Sequence, residues 1–211
     1  MSTPTFAFPV RLSEKYRPRK VAEFVGLHKA KRVLAKFVVN PYPCSFLFFG
    51  PPGVGKTSMA QAMAEEMGAE FHHLGSQKCN IENLDQFCRI CQYVPLTGGM
   101  HFVLIDEIDS ASKAAQLALL SKLDSTDAPE GTVFVFTSND TSNLEPRFLS
   151  RCLPIDFSSY RMSGEIAEYL DKVWHAEGGN GNGPDFARLS KECRNNVRDC
   201  LGRLEVELMA L

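Results

Sequence analysis

Gly50-Pro-Pro-Gly-Val-Gly-Lys-Thr57 combines residue types and a spacing that imply phosphate chemistry. The pattern G-x-x-x-x-G-K-[ST] puts glycines where backbone N–H groups must approach phosphate oxygens with no Cβ in the way. A helix that begins there directs its positive end at the same anion. The loop Gly50, Pro51, Pro52, Gly53, Val54 and Gly55, with Lys56, Thr57 and Ser58 opening the helix, is therefore expected to cradle the phosphates of ATP. Lys56 would set its ammonium between the β- and γ-phosphates, and Thr57 would give its hydroxyl to Mg²⁺.

About 50 residues downstream stands His101-Phe-Val-Leu-Ile-Asp-Glu-Ile-Asp109. An apolar strand ending in Asp106 delivers a carboxylate to the Mg²⁺ shell at the carboxyl edge of a sheet, where α/β ligands bind. Glu107, next along, can take a proton from water attacking the γ-phosphate. Alone this would read equally as an acidic turn after a strand; the glycine loop upstream makes the pair a site. Thr137-Ser-Asn139 closes another apolar run, and its amide either orients the attacking water or belongs to an ordinary turn.

These groups need a frame. Ser45 to Phe49, Glu70 to Leu74, His101 to Ile105 and Thr132 to Phe136 are short apolar runs that read as strands. Between them, Thr57 to Met67, Ile81 to Tyr93 and Ala114 to Leu123 have helical composition or spacing, with Gly68 as a C-cap. Apolar strands alternating with helices predict an α/β fold with a parallel sheet covered on both faces. After about Phe157 the strand signals stop. Met162 to Ala176 and Asp185 to Leu211 read as helices, separated by a Gly/Asn loop ending at Pro184. The expected organisation is an ATPase core over 1–157 and a helical unit over 158–211.

Composition bounds the rest. The 211 residues carry 23 Lys or Arg against 25 Asp or Glu, a net charge of −2. That balance is uneven, because Arg11 to Phe37 stands at +7 and the remainder at −9. The basic segment either meets phosphates of nucleotide or nucleic acid, or is a solvated helix face. Seven cysteines, an odd number in no regular framework, suit a reducing intracellular setting better than a disulfide scaffold. No apolar run approaches the roughly 18 residues of a membrane span, so a soluble protein away from the membrane is expected.

The order of the motifs is similar to that of DNA-polymerase clamp-loader subunits of the AAA+ superfamily. Ser13-Glu-Lys-Tyr-Arg-Pro-Arg19 and Phe24-Val-Gly26 resemble that family's start. The glycine loop, Asp106-Glu107 and Thr-Ser-Asn139 follow in its order. Ser150-Arg-Cys152 resembles its Ser-Arg-Cys signature, and Asn195-Asn-Val-Arg198 its Gly-Asp-x-Arg element, with Asn195-Asn in place of Gly-Asp. The resemblance runs from about residue 11 to the end of the chain, and the family's C-terminal helical collar lies outside it.

The resemblance implies roles that spacing does not supply. Tyr16, Arg17, Pro18, Val25 and Gly26 would border the adenine. Asn139 would sense the γ-phosphate, Arg198 of the helical lid would be a second sensor in the same subunit, and Arg151 would be an arginine finger in a neighbour's ATP site. The partners implied are other AAA+ subunits, a sliding clamp, and primer–template DNA held through its phosphates. Lys78, Asn80, Ser112 and Lys113 sit near the helix starts that face DNA in the family. The family also tends to carry, near the end of its second strand, a polar residue coupling DNA to the catalytic Glu, here around His73-Leu-Gly75. Another DNA-associated AAA+ motor of recombination or branch-migration type, or a nucleotide-binding scaffold subunit with little turnover, are the competing functions. Cys79, Cys88 and Cys91 resemble part of a bacterial loader zinc knuckle but lack its fourth cysteine. They are expected to be core thiols, since a structural zinc site needs four ligands and His72 or His73 would have to supply one.

Overall fold

The computed structural model describes residues 10–75, 79–96, 98–123, 129–181 and 183–210. Two compact units result. Pro18–Tyr160 is one; the described residues up to Arg17 and from Arg161 onward are the other.

The first unit is built on a five-stranded parallel sheet of order β2-β3-β4-β1-β5. Its strands are β1 (Cys44–Phe49), β2 (Glu70–Gly75), β3 (His101–Asp106), β4 (Thr132–Ser138) and β5 (Leu153–Asp156). β4 is buried along its whole length, as expected of a central strand covered on both faces. Side chains alternate between those faces. Leu47, Leu74, Val103, Ile105, Phe134 and Phe136 pack on one side with Leu84, Leu119 and Phe148. Phe46 and Phe48 point to the other, where Phe46 meets Phe37 edge-on at 4.8 Å and Phe48 meets Phe157 at 4.9 Å. Aromatic contacts of this kind add about 0.5–1.5 kcal/mol each beyond burial.

The crossovers are helical: α2 (His28–Val39) precedes β1, and α3 (Lys56–Met67), α4 (Ile81–Ile90) and α5 (Lys113–Leu123) link the strands that follow. The short α6 (Pro146–Leu149) leads into β5. The four expected strands and α3, α4 and α5 fall where the sequence pattern puts them, with α4 ending at Ile90 rather than Tyr93; α2 and α6 were not among the expected helices. β5 was not legible: it is four residues long, carries Pro154 and leaves Leu153 exposed, as an edge strand permits. The expected turn between Asp124 and Gly131 lies mostly outside the described residues.

The second unit contains α1 (Leu12–Lys15), α7 (Ser163–Ala176), α8 (Phe186–Glu192) and α9 (Val197–Met209). Lys15 Nζ donates to Glu177 at 2.9 Å, the Tyr16 hydroxyl donates to the same carboxylate, and Tyr169 donates to the Tyr16 carbonyl at 3.2 Å. The stretch from Asp185 onward, expected as one helix, is two. Arg194 and Asn195 adopt φ of 52° and 59° and end α8. This explains the substituted lid motif. Asn195 occupies a left-handed position that favours glycine and that Asn tolerates better than most. Asn196 then caps α9, its side chain accepting from the Asp199 N–H, a role Asn and Asp fill equally well. Replacing Asn196 by Ala should therefore cost about 1 kcal/mol of stability, whereas Asn196→Asp keeps the cap but sets a carboxylate against Asp199 Oδ2, to which the Asn196 amide donates at 2.7 Å, and should recover only part of that cost; urea unfolding of the three proteins checks both.

Candidate functional site

A parallel sheet ends all its strands at the same edge, so β1, β3 and β4 deliver their following loops to one place. β1 leads into Gly50, where φ is 146° and an added Cβ would sit 2.7 Å from the Phe157 carbonyl oxygen. At Gly55 φ is 97° and a Cβ would lie 3.0 Å from the Phe24 ring. Neither position accepts a side chain without displacing its neighbours. Gly55 is also the N-cap of α3, and no side chain caps that helix. Its first-turn N–H groups, with the positive end of the helix dipole, form an anion site.

Lys56 is buried and its ammonium donates to the carbonyls of Gly50 and Pro51 at 2.7 and 2.9 Å. It also donates to Asn139 Oδ1 at 2.9 Å. The amide that closes β4 is thereby joined to the lysine of the glycine loop. Val54 points into the core, while Pro51 and Pro52 are exposed.

Asp106, at the end of β3, accepts from Thr57 Oγ1 at 2.9 and 3.1 Å. Thr137 in β4 also donates its hydroxyl to this carboxylate and in turn accepts the Glu107 N–H at 2.9 Å. A hydroxyl and a carboxylate side by side suit the oxygen preference of Mg²⁺. Glu107 is exposed at the sheet edge with φ 54°. A non-glycine residue in that region is strained by about 1–3 kcal/mol, and such strain clusters at functional positions. Beyond it, Asp109 Oδ2 accepts the Asn139 N–H at 3.2 Å, tying the two loops together.

The structure thus brings Lys56, Thr57, Asp106, Glu107 and Asn139 to one edge. Val25 and Gly26 follow Phe24, the ring under Gly55, and belong to the same unit as Pro18. Tyr16, Arg17 and Arg198 belong to the other unit; Arg198 is exposed in the first turn of α9. Arg151 is elsewhere. It precedes β5, whose Leu153 pairs with Phe46, and it shares a surface hollow with Tyr42, Cys44 and Thr132 at the amino ends of the strands. Even Leu153 is some four strand residues short of Gly50, about 13 Å at ~3.3 Å per residue.

Thr137 as a bridge was missed: within an apolar strand it read as β-propensity alone. His73 Nε2 lies 3.9 Å from Asp106 Oδ2, which places the end of β2 beside the carboxylate. Asn80 caps α4 through the Asn83 N–H at 2.9 Å, Ser112 accepts from Ala115 N at 3.2 Å, and Lys113 is 3.5 Å from Glu145. Lys78 lies outside the described residues. The three cysteines expected in the core are buried there.

Residues 46–159 match the model of the ATPase family associated with various cellular activities (AAA). Replication factor C small subunit 1 of Pyrobaculum arsenaticum is 32% identical over 177 residues, covering 78% of this chain and 52% of that protein. The DNA polymerase III subunit tau/gamma of Haemophilus influenzae is 26% identical over 217 residues, covering 90% of this chain and 31% of the relative. The chain thus spans about half, or less, of the length of these curated relatives. Among solved structures, the Thermotoga maritima RuvB Holliday junction branch migration motor superposes with a TM-score of 0.75 at 18% identity, over 90% of this chain and 64% of that one. At that identity the likeness is one of fold.

Thr137→Val keeps the shape of a side chain that is 1% exposed but removes the hydroxyl shared by Asp106 and Glu107. It should cost about 1–3 kcal/mol, and Thr137→Ser should recover most of it, as read from denaturant midpoints.

Proposed function

This chain belongs to the AAA family of ATPases, and we propose that it is a clamp-loader-like subunit whose ATP is hydrolysed at contacts between subunits to place a sliding clamp on primer–template DNA. The observation that carries the reading is the Asp106 carboxylate, shared by hydroxyls from α3 and β4, with Glu107 exposed beside it. The supporting sequence relatives include replication factor C and DNA polymerase III subunits.

On this reading the first turn of α3 and Lys56 grip the phosphates, the ammonium exchanging protein carbonyls for phosphate oxygens. Thr57 and Asp106 would hold Mg²⁺, which when bound neutralises charge on the β- and γ-phosphates. Glu107 accepts the proton of the attacking water, and Asn139, linked to Lys56, reads the γ-phosphate. Pro18, Val25 and Gly26, with Tyr16 and Arg17, border the base, and Arg198 is the second sensor. By family likeness, His73, 3.9 Å from Asp106, would couple bound DNA to Asp106-Glu107. DNA contact at Asn80, Ser112 and Lys113 would go to phosphates and weaken with salt.

Arg151 supports a shared site. Its place at the amino end of the sheet separates it from the glycine loop of its own sheet unit, so it serves a neighbour, where such an arginine stabilises transition-state charge. A nucleotide-binding scaffold would supply Arg151 without turning over ATP itself; the assembled Lys56, Thr57, Asp106 and Glu107 favour the enzyme.

Glu107→Gln should keep ATP binding and lower turnover by about 10²–10⁴-fold; unchanged turnover of the assembly would instead assign the scaffold role. Arg151→Ala should leave the binding of ATP intact and lower assembled turnover by about 10³-fold or more. The function itself is tested by steady-state ATPase with and without primer–template DNA and a candidate clamp. Stimulation by both supports loading. Stimulation by four-way junctions alone selects a branch-migration motor, and no stimulation by either DNA or clamp removes the clamp-loading assignment.

A further inference from the structure

On the opposite face of the sheet from Asp106, and at its opposite edge, lies a second cluster of ligating atoms. His72 Nε2, Cys91 Sγ and His101 Nδ1 or Nε2 converge so that the three groups' ligating atoms lie within 4.8 Å of one another. Strand alternation sends His72 and His101 to the face that carries Leu74, Val103 and Cys91, whereas Asp106, Thr137 and His73 point to the α3 side. His101 opens β3 and Asp106 closes it, five residues apart, or about 16 Å at ~3.3 Å per residue.

The cluster is oriented by hydrogen bonds. His101 Nε2 is 2.9 Å from the Tyr93 carbonyl oxygen, which accepts only, so the proton of a neutral His101 sits on Nε2 and the Nδ1 lone pair is left to point inward. A ligating imidazole whose other N–H donates to a backbone carbonyl is the usual arrangement around bound metals. His101 Nδ1 faces His72 Nε2 at 3.0 Å. Cys91 and His101 are each 2% exposed. Glu70 Oε1 lies 3.9 Å from His72 Nε2, within reach of a fourth vertex. Tetrahedral zinc with bonds of about 2.0–2.3 Å sets its ligand atoms roughly 3.3–3.7 Å apart, so His72, Cys91 and His101 need to shift by about an ångström, and Glu70, outside that group of three, moves further to take the fourth vertex.

We infer that His72, Cys91 and His101 form a binding site for a divalent metal of zinc type, with the Glu70 carboxylate closing the shell. The donor set, two imidazoles, a thiolate and a carboxylate, selects zinc over Mg²⁺. Binding is balanced by one proton: the Cys91 thiol loses its hydrogen to become thiolate, and His72 carries its own on Nδ1 while Nε2 ligates. This set is not the C-x8-C-x2-C triplet visible in the sequence; of that triplet only Cys91 takes part. The ion would join the first residue after α4 to the starts of β2 and β3. The segment so pinned carries Tyr93, Val94 and Leu96, exposed to 76, 88 and 93%. It is already held by the His101–Tyr93 bond and by the Leu96 N–H donating to Glu70 at 2.6 Å.

The test uses the full chain, reduced with a phosphine and kept in excess Mg²⁺, titrated with Zn²⁺ against a chromophoric chelator and with Co²⁺ by absorption. The expected result is about one equivalent of metal bound tetrahedrally, with a thiolate-to-cobalt charge-transfer band that the nucleotide site cannot produce because it has no thiol. Cys91→Ser should abolish that band and Cys88→Ser should keep it. His72→Gln, at a less buried position, should weaken Zn²⁺ binding by about tenfold or more, and circular dichroism confirms that each variant folds. No binding at micromolar metal, or a cobalt spectrum untouched by Cys91→Ser, overturns the site and leaves a direct imidazole hydrogen bond in its place. Should Cys91→Ser not fold, unchanged Zn²⁺ affinity in His72→Gln overturns it equally.

Discussion

The Asp106 carboxylate holds this fold and its chemistry together. Hydroxyls reach it from α3 and from β4, so three chain segments separated by 31 and 49 residues meet on one side chain. The meeting is possible only because the sheet is parallel and β4 lies between β3 and β1. A carboxylate deep in such a sheet would be costly without partners. At the edge, 23% of the Asp106 side chain remains exposed, so part of the carboxylate stays open to solvent.

That anchor also explains how far the sequence could be read. The glycine loop and the Asp-Glu pair are contiguous motifs, each tied to a strand end, and strand ends are legible from apolar runs. The four strands that read clearly are those buried on one or both faces. β5 escaped because an edge strand with a proline and exposed residues has neither alternation nor an apolar run. The break between α8 and α9 escaped because neither Arg194 nor Asn195 is a glycine, although both take the left-handed conformation. Roles for Arg151, Arg198 and the residues proposed to border the adenine could not be assigned from spacing at all; only family likeness suggested them. Thr137 and the His72–Cys91–His101 group depend on neighbours in space. Cysteine counting finds spacings along the chain, whereas this group is assembled from two strand starts and a helix end.

Six of the seven cysteines are buried and the seventh, Cys44, is half-buried. Burial pushes the thiols of Cys44, Cys152 and Cys200 up to about 12, so at neutral pH they are protonated and poor nucleophiles. They serve as small apolar residues, while the basic excess is concentrated between Arg11 and Phe37. The same economy is visible in the lid, where Asn195 and Asn196 keep the backbone and capping functions of Gly-Asp without its charge.

The location of Arg151 bears on symmetry under the role proposed for it. A phosphate grip at one edge of the sheet and a donated arginine at the other would let unlike surfaces of neighbouring protomers meet head-to-tail. Repeated, such a contact closes into a ring when its rotation divides a full turn and otherwise climbs into a helix. In a head-to-tail arrangement left open, the first subunit would offer an arginine that no site receives and the last would hold a nucleotide that no arginine reaches. The number of completed sites would then be one fewer than the number of subunits, and the assembly would have a direction before it meets anything else.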